Sequence, residues 1–82
     1  MIMNRNLEIF IKVAESGSIT RTAKAMYITQ PAVSNAISKL ETKLNVKLFF
    51  RDKRNGLILT DVGHKILLLA KTLEYYSGEE LK

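Results

Sequence analysis

Amide, hydroxyl and cationic side chains share one face of a predicted helix near the middle of the chain. A helix that begins after Thr29 would expose Gln30, Ser34, Asn35, Ser38 and Lys39. Gln and Asn amides can form paired hydrogen bonds with adenine, and Ser can bond to bases or phosphates. A merely solvated face more often carries Glu and Lys, although polar faces of this kind also occur on ordinary helices. The pattern favours recognition of nucleic-acid bases, with the first residues, Gln30, Pro31 and Ser34, expected to reach them.

A cluster of cations follows this helix along the chain. It comprises Lys47, Arg51, Lys53 and Arg54, interrupted by Asp52. Arginines in such a cluster can contact phosphates or enter a minor groove. The alternative is that the charge only protects an exposed strand edge from pairing with other chains. Taken alone, the cluster is weak evidence for nucleic-acid binding.

The whole chain is small, basic and free of cysteine. It has 82 residues, a formal net charge of +5 and no Cys, which predicts one small domain without disulfides or thiolate metal sites. Residues 1–71 hold 12 basic and 5 acidic side chains, whereas residues 72–82 are net acidic. The positive charge of residues 1–71 suits a polyanionic partner. A merely solvated, charged surface accounts equally well for a net charge of +5 considered alone.

Catalytic, metal, cofactor and membrane functions find little support. The acids Glu8, Glu15 and Glu41 fall at exposed-looking helical positions, and no base or nucleophile converges on them. His64 has no Cys or second His with which to share a metal. The apolar stretch over residues 66–70 is far too short to span a bilayer. We predict a cytoplasmic protein that is not an enzyme and has no catalytic residues, metal site, cofactor or membrane partner.

Three helices are predicted before the basic cluster. The first repeats apolar residues at the spacing of one helical face: Leu7, Phe10, Ile11 and Ala14. Gly17 can end it in the left-handed conformation, and Ser18 can cap a short second helix. Thr29 can cap a third helix and Asn45 can end it. Its buried stripe is expected to comprise Val33, Ala36, Ile37, Leu40 and Leu44.

The basic cluster lies in a predicted hairpin, and a long helix follows. Apolar runs at residues 48–50 and 57–59 flank Asn55 and Gly56, a strong turn signal because both residues accept positive φ. Thr60 can cap the last helix, which carries a heptad-like apolar seam: Val62, Ile66, Leu69, Leu73 and Tyr76. The seam can pack on the first helix or on a second copy of the chain. We expect both, with the later part on the partner.

The order of these elements predicts a DNA-binding fold. Two short helices joined by a tight turn form a helix-turn-helix, whose second helix enters the major groove. A basic hairpin directly after it makes the winged variant. The predicted fold is mainly α: a winged helix-turn-helix of three helices and a two-stranded wing over residues 1–60, then a linker and dimerisation helix over residues 61–82.

Several segments match the pattern of a known family. They include Leu7-Glu8-Ile9-Phe10, Gly17-Ser18-Ile19-Thr20, Thr29-Gln30-Pro31-Ala32-Val33-Ser34, Leu48-Phe49-Phe50-Arg51, and Leu59-Thr60 with Gly63. With these segments, over about residues 4–72, the chain resembles the N-terminal DNA-binding domain of LysR-type transcriptional regulators. Asp52 departs from the pattern by placing a negative charge among the wing cations.

The resemblance implies that three groups of side chains contact DNA. The third helix would contact bases and nearby DNA backbone through Gln30, Pro31, Ser34 and Asn35, with Asn35 as the candidate for sequence choice. Phosphates would be met from the second helix by Ser18, Thr20 and Arg21. The backbone or minor groove would be met by Lys39 and by the wing residues Arg51 and Arg54. Thr29 and Lys53 complete the predicted set.

The resemblance also implies a bacterial regulator that binds double-stranded promoter DNA sequence-specifically, as a homodimer through the last helix or as a higher oligomer. Its operator would be an interrupted palindrome. Full-length members carry a C-terminal domain that senses a small molecule, and we expect this chain to be a fragment without it, so that an inducer concerns only the missing domain. The alternative is a protein-interaction module with an incidental basic face, but the polar start of the third helix and the basic hairpin fit only DNA binding.

Overall fold

Four helices and one hairpin follow the predicted order. The computed structural model describes residues 4–80. The elements are α1 (Arg5–Ser16), α2 (Ile19–Met26), α3 (Gln30–Leu44), β1 (Phe49–Asp52), β2 (Gly56–Leu59) and α4 (Asp61–Glu80). The predicted mainly α, winged helix-turn-helix fold is confirmed. The outer ends of the two predicted ranges, residues 1–3 and 81–82, lie outside the described residues.

The core lies between α1 and α3 and extends under the hairpin. α1 and α3 contribute most of its buried side chains: Ile9, Phe10, Ile11, Val13, Val33, Ala36, Ile37 and Leu40. The rings of Phe10 and Phe49 lie 5.5 Å apart between centroids, which joins β1 to α1. Each large apolar side chain buried in this way contributes about 1.5–3 kcal/mol. Leu44 was predicted in the buried stripe but is 40% exposed, because α3 ends there and no described element covers it.

The helix ends follow the local chemistry of their capping residues. Gly17 has a φ of 70° and its N–H bonds to the carbonyl of Val13, which ends α1. Ser18 and Thr29 cap α2 and α3 through hydroxyl oxygens that accept backbone N–H bonds of 3.1 Å. Asn45 ends α3 in the left-handed conformation. All four of these predicted helix ends are confirmed.

The hairpin is confirmed, but its turn differs from the predicted one. The strands pair antiparallel from Phe49 opposite Leu59 to Asp52 opposite Gly56, so residues 53–55 form the turn. Of the pair Asn55 and Gly56, only Gly56 has a positive φ, 77°. The reason is local: the Asp52 carboxylate accepts the N–H groups of Arg54 and Asn55, which favours a longer turn than the two-residue Asn-Gly type.

The first turn of α4 lies close against the segment before β1. A Cβ added at Gly63 would overlap the carbonyl oxygen of Leu48 and lie 3.0 Å from a methyl group of Leu59. The hydroxyl of Thr60 accepts the N–H of Gly63 at 2.9 Å and donates to the carbonyl of Lys47 at 2.6 Å. These contacts fix the direction in which α4 leaves the hairpin. Within residues 4–80, no helix combines the length and the apolarity needed to cross a membrane.

Candidate nucleic-acid interface

A groove of about 690 Å³ opens between the N-termini of α2 and α3 and the hairpin. We call it the recognition groove. Its polar and charged lining comprises Ser18 and Thr20 from α2, Gln30 and Ser34 from α3, and Arg51, Asp52 and Lys53 from the hairpin. Residues far apart in sequence therefore meet on one concave surface. All of them except Asp52 belong to the predicted contact set.

The start of α3 presents hydrogen-bonding groups at the mouth of this groove. Gln30 is exposed and Ser34, one helical turn later, is half-buried, and both line the groove. Pro31 lies in the first turn of α3, where its missing N–H costs no helical hydrogen bond. Asn35 and Lys39 are exposed but line no part of the recognition groove. Their exposure leaves their donors and acceptors accessible to a partner.

The start of α2 is fixed by a small hydroxyl network. The Ser16 hydroxyl accepts the N–H of Ser18 at 3.1 Å and shares a hydrogen bond of 3.1 Å with the hydroxyl of Thr22. Thr22 is 2% exposed, so this bond satisfies a buried polar group. Thr20 and Arg21 are exposed in the first turn of α2, where free N–H groups and the positive helix end favour anions.

Tyr27 lies in the short turn between α2 and α3, and sequence reasoning missed only its backbone conformation. It adopts the left-handed conformation with a φ of 58° and is 94% exposed. Its N–H bonds to the carbonyl of Lys24, and the N–H of Ile28 bonds to that of Ala23. This pair of backbone hydrogen bonds ends α2 just before the residue that caps α3. The sequence did indicate that α2 must end just before Thr29. The type of residue 27 gave no such signal, because an aromatic residue rarely takes a positive φ.

Glu41 joins α3 to the segment before β1 and is less exposed than its sequence position suggested. Its Oε2 accepts the N–H of Leu48 at 2.8 Å, and its Oε1 lies 3.9 Å from Nζ of Lys47. The Glu41 side chain is 16% exposed. A second groove of about 500 Å³ separates α3 from β1 above this contact, and Ser38, Phe50 and Arg51 are among its lining residues. Glu41 therefore links α3 to the chain immediately before the hairpin.

The remaining predicted contact residues lie beside the recognition groove rather than in it. They are Arg21, Thr29, Pro31, Asn35, Lys39 and Arg54, and all are exposed. Arg54 lies in the hairpin turn. The structure thus places part of the predicted set in the groove and leaves the rest exposed outside it.

The predicted seam on α4 divides into two classes. Val62, Ile66 and Leu73 are half-buried, whereas Leu69 and Tyr76 are exposed. Three seam residues line an apolar groove of about 190 Å³ together with residues of α1 and α3; its apolar lining is Leu7, Leu40, Leu44, Ile66, Leu69, Ala70 and Leu73. Leu68 and Tyr75 are also exposed, and the heptad spacing did not include them.

Comparisons with known proteins agree with this architecture. The family model of bacterial regulatory helix-turn-helix proteins of the lysR family matches residues 4–64. The uncharacterized HTH-type transcriptional regulator YoaU of Bacillus subtilis (strain 168) is 55% identical over 75 residues, which cover 90% of this chain and 26% of YoaU. This chain therefore spans about a quarter of the length of that relative.

Solved structures give the same result. The crystal structure of the CbnR_DBD-DNA complex is similar with a TM-score of 0.86 and 34% identity, covering 93% of this chain and 86% of that one. The BenM_DBD/catB site 1 DNA complex is similar with a TM-score of 0.88 and 31% identity, covering 94% and 85%. The chain belongs to the LysR family of bacterial regulatory helix-turn-helix proteins, and its fold is the winged helix-turn-helix of their DNA-binding domains.

Proposed function

We propose that this chain binds double-stranded promoter DNA in a sequence-specific manner and regulates transcription in the bacterial cytoplasm. The observation that carries the proposal is the recognition groove, which collects the hydrogen-bonding starts of two helices beside the cations of a hairpin. Two structural relatives of the same fold, CbnR_DBD and BenM_DBD, are DNA complexes. Their similarity to this chain supports the proposal.

The groove suggests how the contacts divide between bases and backbone. Gln30 and Ser34 lie on the α3 end that would enter the major groove, so we assign base contacts to them and to the neighbouring Asn35. The exposed start of α2 at Thr20 and Arg21 would bind phosphates. Phosphate contacts position a protein on the duplex, and base contacts specify the sequence.

The wing supplies the second group of backbone contacts. Arg51, Lys53 and Arg54 are exposed on the hairpin, and Glu41 links α3 to Leu48, the residue before that hairpin. Cations beside the recognition helix, α3, can neutralise phosphates on either side of the major groove. Lys39, exposed on α3, would add to this set.

We propose further that two copies pair through α4. The apolar groove lined by Ile66, Leu69 and Leu73 and the exposed Tyr76 support this pairing, because solvated apolar surface of this kind favours a partner. The two recognition helices would then meet major-groove faces about 34 Å apart, or a multiple of that distance. The operator would be an interrupted palindrome. A small-molecule inducer, as implied by the family resemblance, would act on a separate C-terminal domain.

A selection of binding fragments from genomic DNA tests the function directly. We expect the recovered fragments to share a palindromic site. Titration of the best fragment and of its scrambled version at two salt concentrations should then give a clear specificity ratio, about 10³ or more for specific regulators. Weak binding that ignores sequence and vanishes with salt would contradict the proposal, since the net charge alone would explain it.

A further inference from the structure

We propose that Asp52 is a positioning residue for the wing in a protein that binds DNA as proposed above, on which this inference rests. Its carboxylate holds the hairpin turn in the conformation that presents Lys53 and Arg54 to phosphates. The same carboxylate repels those phosphates. Asp52 therefore has two opposing effects on DNA affinity, one through its hydrogen-bonding oxygen and one through its charge.

The contacts of Asp52 define the first effect. Its Oδ1 accepts the N–H of Arg54 at 2.8 Å and the N–H of Asn55 at 3.0 Å. Asp52 is opposite Gly56, whose φ of 77° returns the chain into β2. A side-chain oxygen that bonds to two successive backbone amides determines the path of a short turn. Arg51 and Lys53 are adjacent to Asp52 in the sequence, and Arg54 follows two residues after it.

The surroundings of Asp52 define the second effect. It is the only acidic residue among those lining the recognition groove, which include Arg51 and Lys53. It is also the only acidic residue between positions 42 and 60. A negative charge on a surface that binds a polyanion weakens association with any sequence, because the phosphate contribution is independent of the bases. The turn requires an acceptor at this position, but it does not require a charge.

Two substitutions separate the acceptor from the charge. Asp52→Asn keeps an oxygen acceptor and removes the charge, whereas Asp52→Ala removes both. On a scrambled duplex of about 30 base pairs, roughly three helical turns, we expect Asp52→Asn to bind about two- to fivefold more tightly than the wild type at low salt. This gain should shrink as salt rises. Asp52→Ala should bind more weakly than Asp52→Asn. Its plot of log affinity against log salt concentration should be shallower than that of Asp52→Asn by about one unit of slope, because the Arg54 contact is lost.

Amide hydrogen exchange provides a readout that does not depend on DNA. The N–H groups of Arg54 and Asn55 should exchange faster in Asp52→Ala than in the wild type or Asp52→Asn. Asp61→Asn is the matched control, since it makes the same charge change on an exposed residue that lines neither the recognition groove nor the second groove. It should not reproduce the gain in affinity.

The outcomes are distinguishable from those that test the proposed function. Asp52→Ala binding as tightly as Asp52→Asn, with unchanged exchange at Arg54 and Asn55, would overturn the positioning role. Weaker binding by Asp52→Asn than by the wild type would overturn the opposing effect of the charge. A wild-type protein that binds no duplex at all would overturn the proposed function itself, and this inference with it.

Discussion

At the residue scale, Ser18 and Thr29 each combine a structural contact with an available donor. Each hydroxyl oxygen accepts a backbone N–H at the start of a helix. A hydroxyl has one donor and two acceptor sites, so its O–H stays free to bond to a phosphate. The N–H groups and partial positive charge of a helix start favour the same anion. These two caps therefore serve the fold and, under the proposed function, the interface.

Gln30 should contribute to base discrimination without affecting stability. It is exposed at the start of α3 and lines the recognition groove, so Gln30→Ala removes no buried contact. We expect a loss of about 1–3 kcal/mol on the selected site and relaxed discrimination at one base position. Titrations against the site and its single-base variants measure both effects.

Arg54→Ala is the contrasting variant for this measurement. It should weaken binding to all sequences similarly and lower the salt slope by about one unit, because Arg54 would contact phosphate. Equal losses on selected and scrambled DNA for Gln30→Ala would contradict the assigned base contact. Such a result would show that Gln30, like Arg54, contacts the DNA backbone rather than a base.

At the element scale, local chemistry made most of the helix boundaries predictable. Gly17, Ser18, Thr29 and Asn45 act on backbone groups within a few residues of themselves, and such preferences are visible in sequence. The groove itself was harder to predict from the sequence, because it joins α2, α3 and the hairpin, which are far apart along the chain. The residue types of the groove were found by their patterns and by family resemblance.

Three features were beyond sequence reasoning because a different interaction prevailed. The Asn-Gly pair indicated a two-residue turn, but the Asp52 carboxylate bonds to two amides and lengthens it. Tyr27 takes a left-handed conformation that its residue type disfavours, since α2 must end there. Glu41 bonds to the N–H of Leu48, seven residues away, and no local pattern indicates that contact.

The junction of the hairpin with α4 should depend on Gly63. Helix propensity predicts that Gly63→Ala stabilises α4 by up to about 1 kcal/mol. The structure predicts the opposite, because the added Cβ would overlap the carbonyl of Leu48, and relief of such overpacking typically costs about 1–3 kcal/mol. Urea unfolding measures the sign of the change.

His64→Ala is the control for this substitution. His64 is exposed in the same turn of α4, and its replacement should change stability by no more than about 0.5 kcal/mol. A Gly63→Ala protein as stable as His64→Ala would show that α4 can shift away from Leu48 freely. That result would contradict the close junction.

At the scale of the whole molecule, α4 connects the core to apolar surface that the described residues leave exposed. Gly63 and Ala70 are buried on the side that faces the core, and an exposed ion pair of Lys71 with Glu15 at 3.0 Å joins α4 to α1. Beyond this contact, Tyr75 and Tyr76 are 62% and 59% exposed. An isolated domain of this size gains little from such side chains, so their exposure is consistent with a pairing surface.

The positions of Leu69 and Leu68 on α4 allow two substitutions to identify the pairing face. Leu69 is 62% exposed and lines the apolar groove, whereas Leu68 is 70% exposed and does not line it. We expect Leu69→Glu to convert a dimer into a monomer, since its carboxylate would be buried unpaired against the partner. Leu68→Glu should leave the dimer mass unchanged by sedimentation at the same concentration. Dissociation by Leu68→Glu alone would move the contact to a neighbouring face of α4, about 100° around the helix from Leu69, and would change the expected spacing of the two recognition helices.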